Sequence, residues 1–214
     1  MKCIVPCAGF GTRMSMAKDC SKEMLPDPGY KHQPIIQYVL DLCEAFKLEP
    51  LVITRKEKQD LRQYLFDKQV DFIDIDVKGE WNESVLASKE LWAENNLLIL
   101  PDTRFYSYKC IEDIQRGLEL GNNAVMALHE VTDPSKWSTW GMIFNNHIYE
   151  KPNLTDYYWY ENYTKEPEMK WAWGLIGFKD TYGQELFSNI QCLELKNVGF
   201  TYLTKFEDIT RGTK

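Results

Sequence analysis

The first two thirds of the chain alternate between short apolar runs and longer stretches in which an apolar residue returns every three or four positions. Lys2–Cys7 is a compact apolar run of the buried-strand type. After a polar, glycine-containing segment, Pro34 opens a stretch in which Ile35, Ile36, Val39, Leu42, Cys43 and Phe46 recur at helical spacing. Pro50–Thr54 reads as a second strand and Glu57–Phe66 as a second helix. Val70–Val77 alternates like a strand, with a break in phase at Phe72-Ile73. Ser84 reads as a helix cap, with the helix running to Asn95 and turning Val85, Leu86, Ser88, Leu91 and Trp92 inward. Leu97-Leu98-Ile99-Leu100 is a continuous apolar run, the pattern of a strand covered on both faces, and it ends in Pro101-Asp102-Thr103. Ile111–Leu120, stopped by Gly121, predicts a helix, and Ala124–His129 a strand. This succession predicts an α/β fold, a three-layer α/β/α sandwich with helices on both faces of a mostly parallel central sheet.

The texture changes from Lys136. Trp137, Trp140, Tyr149, Tyr157, Tyr158, Trp159, Tyr160, Tyr163, Trp171 and Trp173 crowd a short region. Gly141–Phe144 and His147–Glu150 predict a hairpin around Asn145-Asn146. Trp171–Phe178 reads as a strand, Thr181–Ile190 as a helix and Phe200–Thr204 as a last strand. No repeat, linker or low-complexity tract interrupts the pattern, so residues 1–214 read as one domain. The aromatic block Tyr157–Tyr163 reads as core or as a contact between copies, a homo-oligomer, ahead of a lid stacking on a ligand.

Composition narrows the function. Hydrophobic residues make up 44% of the chain, enough for a substantial core, and the net charge of −7 argues against nucleic acid as a partner. No apolar stretch reaches the length of a membrane span. The six cysteines include no CxxC pair, and the first strand begins almost at Met1 with no leader, which points to free thiols in the cytoplasm. The sequons at Asn82, Asn153 and Asn162 are accordingly read as chance matches, and the three histidines show no metal-ligand spacing.

The segment after the first strand carries the chemistry. Ala8-Gly9-Phe10-Gly11-Thr12-Arg13 is followed by Lys22 in Ser21-Lys22-Glu23-Met24-Leu25-Pro26. A Walker loop is excluded, because no Lys-Ser/Thr follows the glycines, and a dinucleotide fingerprint would need a glycine where Met14 stands. Glycines bring backbone N–H groups close to phosphates, Thr12 adds a hydroxyl, Arg13 offers a planar fork and Lys22 a second cation. The ordered set Gly9 to Met14, Ser21 to Pro26 and Pro34 to Tyr38 resembles the sugar-1-phosphate nucleotidyltransferase family, whose pattern is G-x-G-T-R-[LM], P-K-x-[LM]-x-P and K-P-[LMI]-I-x-Y. Ser21 replaces the proline before the lysine, and Gln33 replaces a lysine before Pro34.

The resemblance implies a nucleotide-diphospho-sugar transferase (glycosyltransferase-A-like) fold, with a nucleotide-binding half over about residues 1–130 and an acceptor-binding half over about 131–214. It implies that Ala8, Gly9, Gly11 and Thr12 bind the nucleotide and that Arg13 and Lys22 stabilise the leaving pyrophosphate. Asn82 and Ser84 would read the base; capping a helix is the competing role for both. Asp102, at the end of the most apolar strand, would be one Mg²⁺ ligand, with Pro101 in place of the family's glycine. Asp208 would be the second, with Glu207 as its competitor. Glu150-Lys151-Pro152 resembles the family's E-K-P, so Lys151 would bind the acceptor phosphate and Glu150 the sugar hydroxyls. Gly174 would let the acceptor approach a strand; a bulge or plain packing is its other reading.

The implied reaction is NTP plus sugar 1-phosphate giving NDP-sugar and pyrophosphate. The attacking phosphate oxygen is already anionic at neutral pH, so the lack of a His–carboxylate couple is no obstacle. Two alternatives are carried: a cytidylyltransferase acting on phosphocholine or another non-sugar phosphate, and a non-catalytic nucleotide-sugar-binding regulator. The sequence leaves the base and the acceptor open.

Overall fold

The computed structural model describes residues 1–9, 20–76, 80–106, 108–152, 170–203 and 206–209. In chain order these form β1 (Lys2–Pro6), β2 (Pro26–Asp27), β3 (Gln33–Pro34), α1 (Gln37–Ala45), β4 (Glu49–Thr54), α2 (Gln59–Asp67), β5 (Asp71–Asp74), α3 (Trp81–Ala87), β6 (Asn95–Ile99) and β7 (Thr103–Phe105). There follow α4 (Lys109–Glu119), β8 (Ala124–Glu130), β9 (Gly141–Phe144), β10 (His147–Glu150), β11 (Trp171–Lys179), α5 (Asp180–Ser188), β12 (Leu193–Glu194), β13 (Val198–Tyr202) and β14 (Phe206–Asp208).

The expected parallel core is present. β1 lies between β4 and β6, parallel to both, and β5 continues parallel beyond β4. The second half joins through β11, which runs antiparallel to β6 along Leu175–Lys179. Along its other edge β11 pairs antiparallel with β8, and β8 carries β13 in parallel. The start of β11 also meets β9, which leads through the hairpin to β10 and β12. The mixed ten-stranded sheet is therefore parallel where strands alternate with helices and antiparallel where the aromatic-rich segment returns. The hairpin turn is built on Asn145 and Asn146, both at positive φ (45° and 59°), as the two-residue connection requires.

Side-chain alternation sorts the core into two layers. Cys3, Val5, Val52, Leu97, Ile99 and Leu175 face α1, α2 and α4, whose Val39, Leu65, Ile111 and Ile114 complete that side. Ile4, Leu51, Ile53, Leu98 and Ile176 face α3 and α5, meeting Val85, Leu186 and Phe187. Burying a side chain such as Phe187 completely contributes on the order of 2–3 kcal/mol. A third, smaller cluster of Val131, Trp137, Met142, Phe144 and Ala172 lies beside the β9–β10 hairpin. The block Tyr157–Tyr163 lies outside the described residues.

Several boundaries differ from the sequence reading. Pro34 sits in β3 rather than opening a helix, because Ile35 and Ile36 donate back to the carbonyls of Leu25 and Glu23 and α1 begins only at Gln37. Val70–Val77 shortens to β5, and Val77 lies outside the described residues. α3 starts at Trp81, so Asn82 and Ser84 are inside it and neither is its cap; the helix stops where the Ser88 hydroxyl donates to the Val85 carbonyl. The expected last strand is β13, which ends at Tyr202, and it is followed by β14, which pairs with β7.

Gly177 makes the closest helix–sheet approach on the α4 side. A Cβ there would lie 2.2 Å from Ile114 Cγ2. Ile114 is fully buried, so the helix itself would have to move. Gly177→Ala should therefore cost about 1–3 kcal/mol, read as a lower midpoint in urea unfolding with an unchanged slope.

Candidate functional site

The carboxyl ends of β1 and β6 define one edge of the sheet, where an open α/β sheet binds its ligands. Beyond β1, Cys7 N–H donates to the Ile53 carbonyl at 2.7 Å. Ala8 is buried, and its carbonyl accepts Arg55 Nε at 2.5 Å. Arg55, 5% exposed at the end of β4, thus fixes the backbone that leads into the glycine segment, a role its position after a strand did not announce. Gly9 is exposed, and a Cβ there would touch nothing within 4 Å, so its value lies in backbone freedom or ligand approach, not in packing. Gly11, Thr12 and Arg13 lie outside the described residues.

Lys22 opens a short 3-10 turn, Lys22–Met24, and its Nζ donates to Asp102 Oδ2 at 2.5 Å across 80 positions of sequence. Asp102 stands in the turn between β6 and β7. The β7–β14 ladder sets Asp208 opposite Thr103, and Ile209 N–H donates to the Asp102 carbonyl at 2.9 Å. The backbones of Asp102 and Asp208 are thereby neighbours. Glu207, one residue earlier, is engaged elsewhere: its carboxylate accepts the Tyr106 hydroxyl at 2.8 Å and lies 3.6 Å from Arg104. Arg104 also pairs with buried Asp27, tying the β2–β3 loop to the strand after Asp102.

On α3 the Asn82 amide donates to the Phe187 carbonyl at 3.0 Å, and Ser84 is 5% exposed. Both side chains take part in the packing of α3 on α5. The reason lies in where α3 begins: one turn earlier than its polar residues suggest, which carries both side chains into the helix body.

The acceptor residues form a clasp. Glu150, at the end of β10, is 7% exposed and accepts Trp81 Nε1 at 3.1 Å and Trp173 Nε1 at 3.2 Å, one indole on each oxygen. Burial pushes its carboxyl above the ordinary range, more than the two indoles and Lys151 lower it. Gly141 makes room for this arrangement, since a Cβ there would fall 1.8 Å from Trp173 Nε1 and 2.5 Å from Glu150 Oε2. Glu150 is thus held as a strut between α3, the hairpin and β11. Lys151, with φ +49°, turns to pair with Glu80 Oε2 at 2.8 Å. Two adjacent rungs, Trp81–Glu150 and Glu80–Lys151, therefore join the start of α3 to the end of the hairpin. Gly174 sits at the bulge where the β11–β8 register shifts. A Cβ there would meet Phe206 at 2.7 Å and Leu203 at 2.8 Å, so the glycine serves the bulge and its packing.

No family model matches the chain. Its sequence is 27% identical over 159 residues to a protein of Methanocaldococcus jannaschii provisionally named UTP–glucose-1-phosphate uridylyltransferase, covering 61% of this chain and 55% of that one. The chain thus spans about half the length of this curated relative. Its fold matches a Bacillus anthracis protein solved with sucrose and provisionally named a glucose-1-phosphate thymidylyltransferase. That match has a TM-score of 0.72 and 21% identity and covers 97% of this chain and 89% of the other. An apo UDP-glucose pyrophosphorylase matches at TM-score 0.64 and 20% identity, over 87% and 79% of the two chains. The sequence relative bears the name of a sugar-1-phosphate nucleotidyltransferase, and the two solved neighbours, at 20–21% identity, show that the fold is shared.

β14 is held to the sheet by a buried ring. His129 stacks on Phe206 with centroids 4.1 Å apart and planes 9° apart, edge-on to Trp140, and its Nε2 has no hydrogen-bond partner among the described residues. Burial lowers its pKa from 6.5 to about 4, against a smaller upward pull from the Glu130 backbone. The fold keeps this ring neutral while the unfolded chain protonates it, so its contribution is complete above pH 6.5 and is lost as pH falls toward 4. Unfolding free energies measured between pH 7 and 4 should fall by up to roughly 3 kcal/mol from this group, and His129→Phe should remove that part of the slope.

Proposed function

We propose that the chain transfers an NMP group from an NTP to a sugar 1-phosphate, releasing pyrophosphate and forming an NDP-sugar. The observation that carries this reading is the 2.5 Å approach of Lys22 to Asp102 at the sheet edge that the glycine segment leaves. That juxtaposition unites the two most specific parts of the motif from distant points in the chain. It equally supports a nucleotide-binding half that ends near residue 130 and an acceptor-binding half beyond it, joined along β6 and β11.

The chemistry asks for positions and charges. The attacking oxygen belongs to the acceptor phosphate and is ionised at neutral pH, so no side chain has to take its proton. Arg13 and Lys22 offset charge that builds on the departing pyrophosphate, and Lys151 orients the acceptor phosphate once it exchanges Glu80 for that anion. The donor set at the edge fits a magnesium ion, because Asp102 supplies carboxylate oxygens and the β7–β14 ladder sets residue 208 beside it. When bound, magnesium neutralises charge on the phosphates. Lys22 is the ion-pair partner of Asp102 at 2.5 Å. Among the described residues no group of three or more His, Cys, Asp or Glu side chains is gathered to hold a metal ion. No disulfide is assigned to any of the six cysteines, as the cytoplasmic reading asks, and no described helix is long and apolar enough to cross a membrane.

A pyrophosphate-release assay over the four ribonucleotides and dTTP, against a panel of sugar 1-phosphates with phosphocholine as the non-sugar control, tests the reading. Turnover should require a sugar 1-phosphate, stop with EDTA and return with Mg²⁺. Release with phosphocholine alone would assign the chain to the other acceptor class, and no release with any pair would remove the catalytic reading.

Site variants give a second check. Arg13→Ala, Lys22→Ala and Asp102→Asn should each reduce kcat by roughly a hundredfold or more, with melting temperatures within a few degrees of the parent. Asp208→Asn should match Asp102→Asn, and the double variant should be little worse, since both would act through one ion. Lys151→Ala should raise KM for the acceptor more than for the NTP; an equal rise for both would reassign it.

A further inference from the structure

Lys22 is the second residue of Ser21-Lys22-Glu23, and both its neighbours are bound by the start of α2. Ser21 donates twice to Asp60, from its N–H to Oδ2 at 2.7 Å and from its hydroxyl to Oδ1 at 2.5 Å. Glu23 is 3% exposed and pairs at 2.7 Å with Lys58, itself 8% exposed. Lys22, between them, reaches Asp102 instead. Asp60 is anchored in the first turn of α2, where its Oδ1 also accepts the Leu61 N–H at 2.8 Å.

The backbone at Ser21 has φ −63° and ψ 138°. That is the polyproline conformation, the one a proline ring imposes by itself. Serine has no such restriction, so at this position an external group has to hold it. We propose that Asp60 is a positioning residue for Lys22, fixing Ser21 with a bidentate pair of hydrogen bonds in the conformation that a proline would hold covalently. The inference rests on Lys22 serving the triphosphate as described above, and it accounts for the serine that stands before the lysine in this chain. A lysine side chain has four rotatable bonds, so the direction of its backbone sets where the ammonium spends its time. A displacement of about 1 Å at such a group costs on the order of a hundredfold in rate. Although desolvation raises the Asp60 carboxyl, the bonds from Ser21 and the backbone outweigh it and keep the carboxyl below its usual range.

The test uses the full chain with NTP, sugar 1-phosphate and Mg²⁺, comparing the parent, Asp60→Ala, Ser21→Ala and the double variant Asp60→Ala/Ser21→Pro. Asp60→Ala should lower kcat about tenfold or more while KM for the NTP moves less than about twofold. Ser21→Ala, which leaves α2 untouched, should lose less in the same direction and serves if Asp60→Ala does not fold. The double variant should recover most of the lost turnover, because proline restores the φ that Asp60 was holding. Amide hydrogen exchange over Lys22–Leu25 should rise in Asp60→Ala and fall again in the double variant. Recovery is the decisive arm: if Asp60 only supports the first turn of α2, proline at position 21 rescues neither turnover nor exchange, and the proposal is overturned. Unchanged kcat and exchange in both single variants would overturn it as well. A parent chain that releases no pyrophosphate, yet shows the exchange pattern and its rescue, supports the Asp60 lock while removing the nucleotidyl-transfer reading beneath it.

Discussion

Strand β6 has to satisfy two different neighbours at once. Leu97, Leu98 and Ile99 are fully buried, so neither edge of this run can leave its N–H and C=O groups to solvent, and neither face can be left uncovered. On one edge it takes β1 in parallel, and on the other β11 in antiparallel. That single strand therefore joins a half built by strand–helix alternation to a half built by hairpins. It also fixes the edge of the site, since the chain leaving β6 turns through Asp102 at the same end where β1 releases the glycine segment. The two-sided cover of β6, by α4 on one face and by α3 and α5 on the other, is the same requirement expressed in side chains.

The parts legible in the sequence are those whose physics is local. β1, β4, β6 and α4 follow from runs and periods within about ten residues, and the β9–β10 hairpin follows from two asparagines that tolerate positive φ. The glycine motif is legible for the same reason, being a string of small, hydroxylic and cationic residues close together in sequence. What could not be read is decided at a distance. β7 and β14 are three residues each, too short to carry a period, and they find each other with Tyr106 and Glu207 lying 101 positions apart. Asn82 and Ser84 look like caps because capping is what such residues do locally, yet packing of Val85 and Trp81 draws them into α3. Glu150 looks like a free carboxylate until the two indoles that hold it are seen together.

Charge around the site follows one rule. Lys22 faces Asp102, Lys151 faces Glu80, Lys58 faces Glu23 and Arg104 faces Asp27. In a chain with a net charge of −7, these four cations are each met by a carboxylate. The buried pairs, Lys58–Glu23 and Arg104–Asp27, act as fixed joints, since removing one member would strand the other away from water. The pairs Lys22–Asp102 and Lys151–Glu80 are more exposed, and water screens part of the cost of parting them.

The β7–β14 ribbon gives the molecule a direction in time. At a synthesis rate of roughly 5–20 residues per second, β7 emerges some 5–20 s before its partner strand exists. During that interval the sheet can form around β1, β4 and β6, while the His129 ring that Phe206 will cover remains wet. Among the described elements, the edge that carries Asp102 is therefore the last to close. A partly made chain can be folded over most of its length and still lack the strand that brings residue 208 beside Asp102.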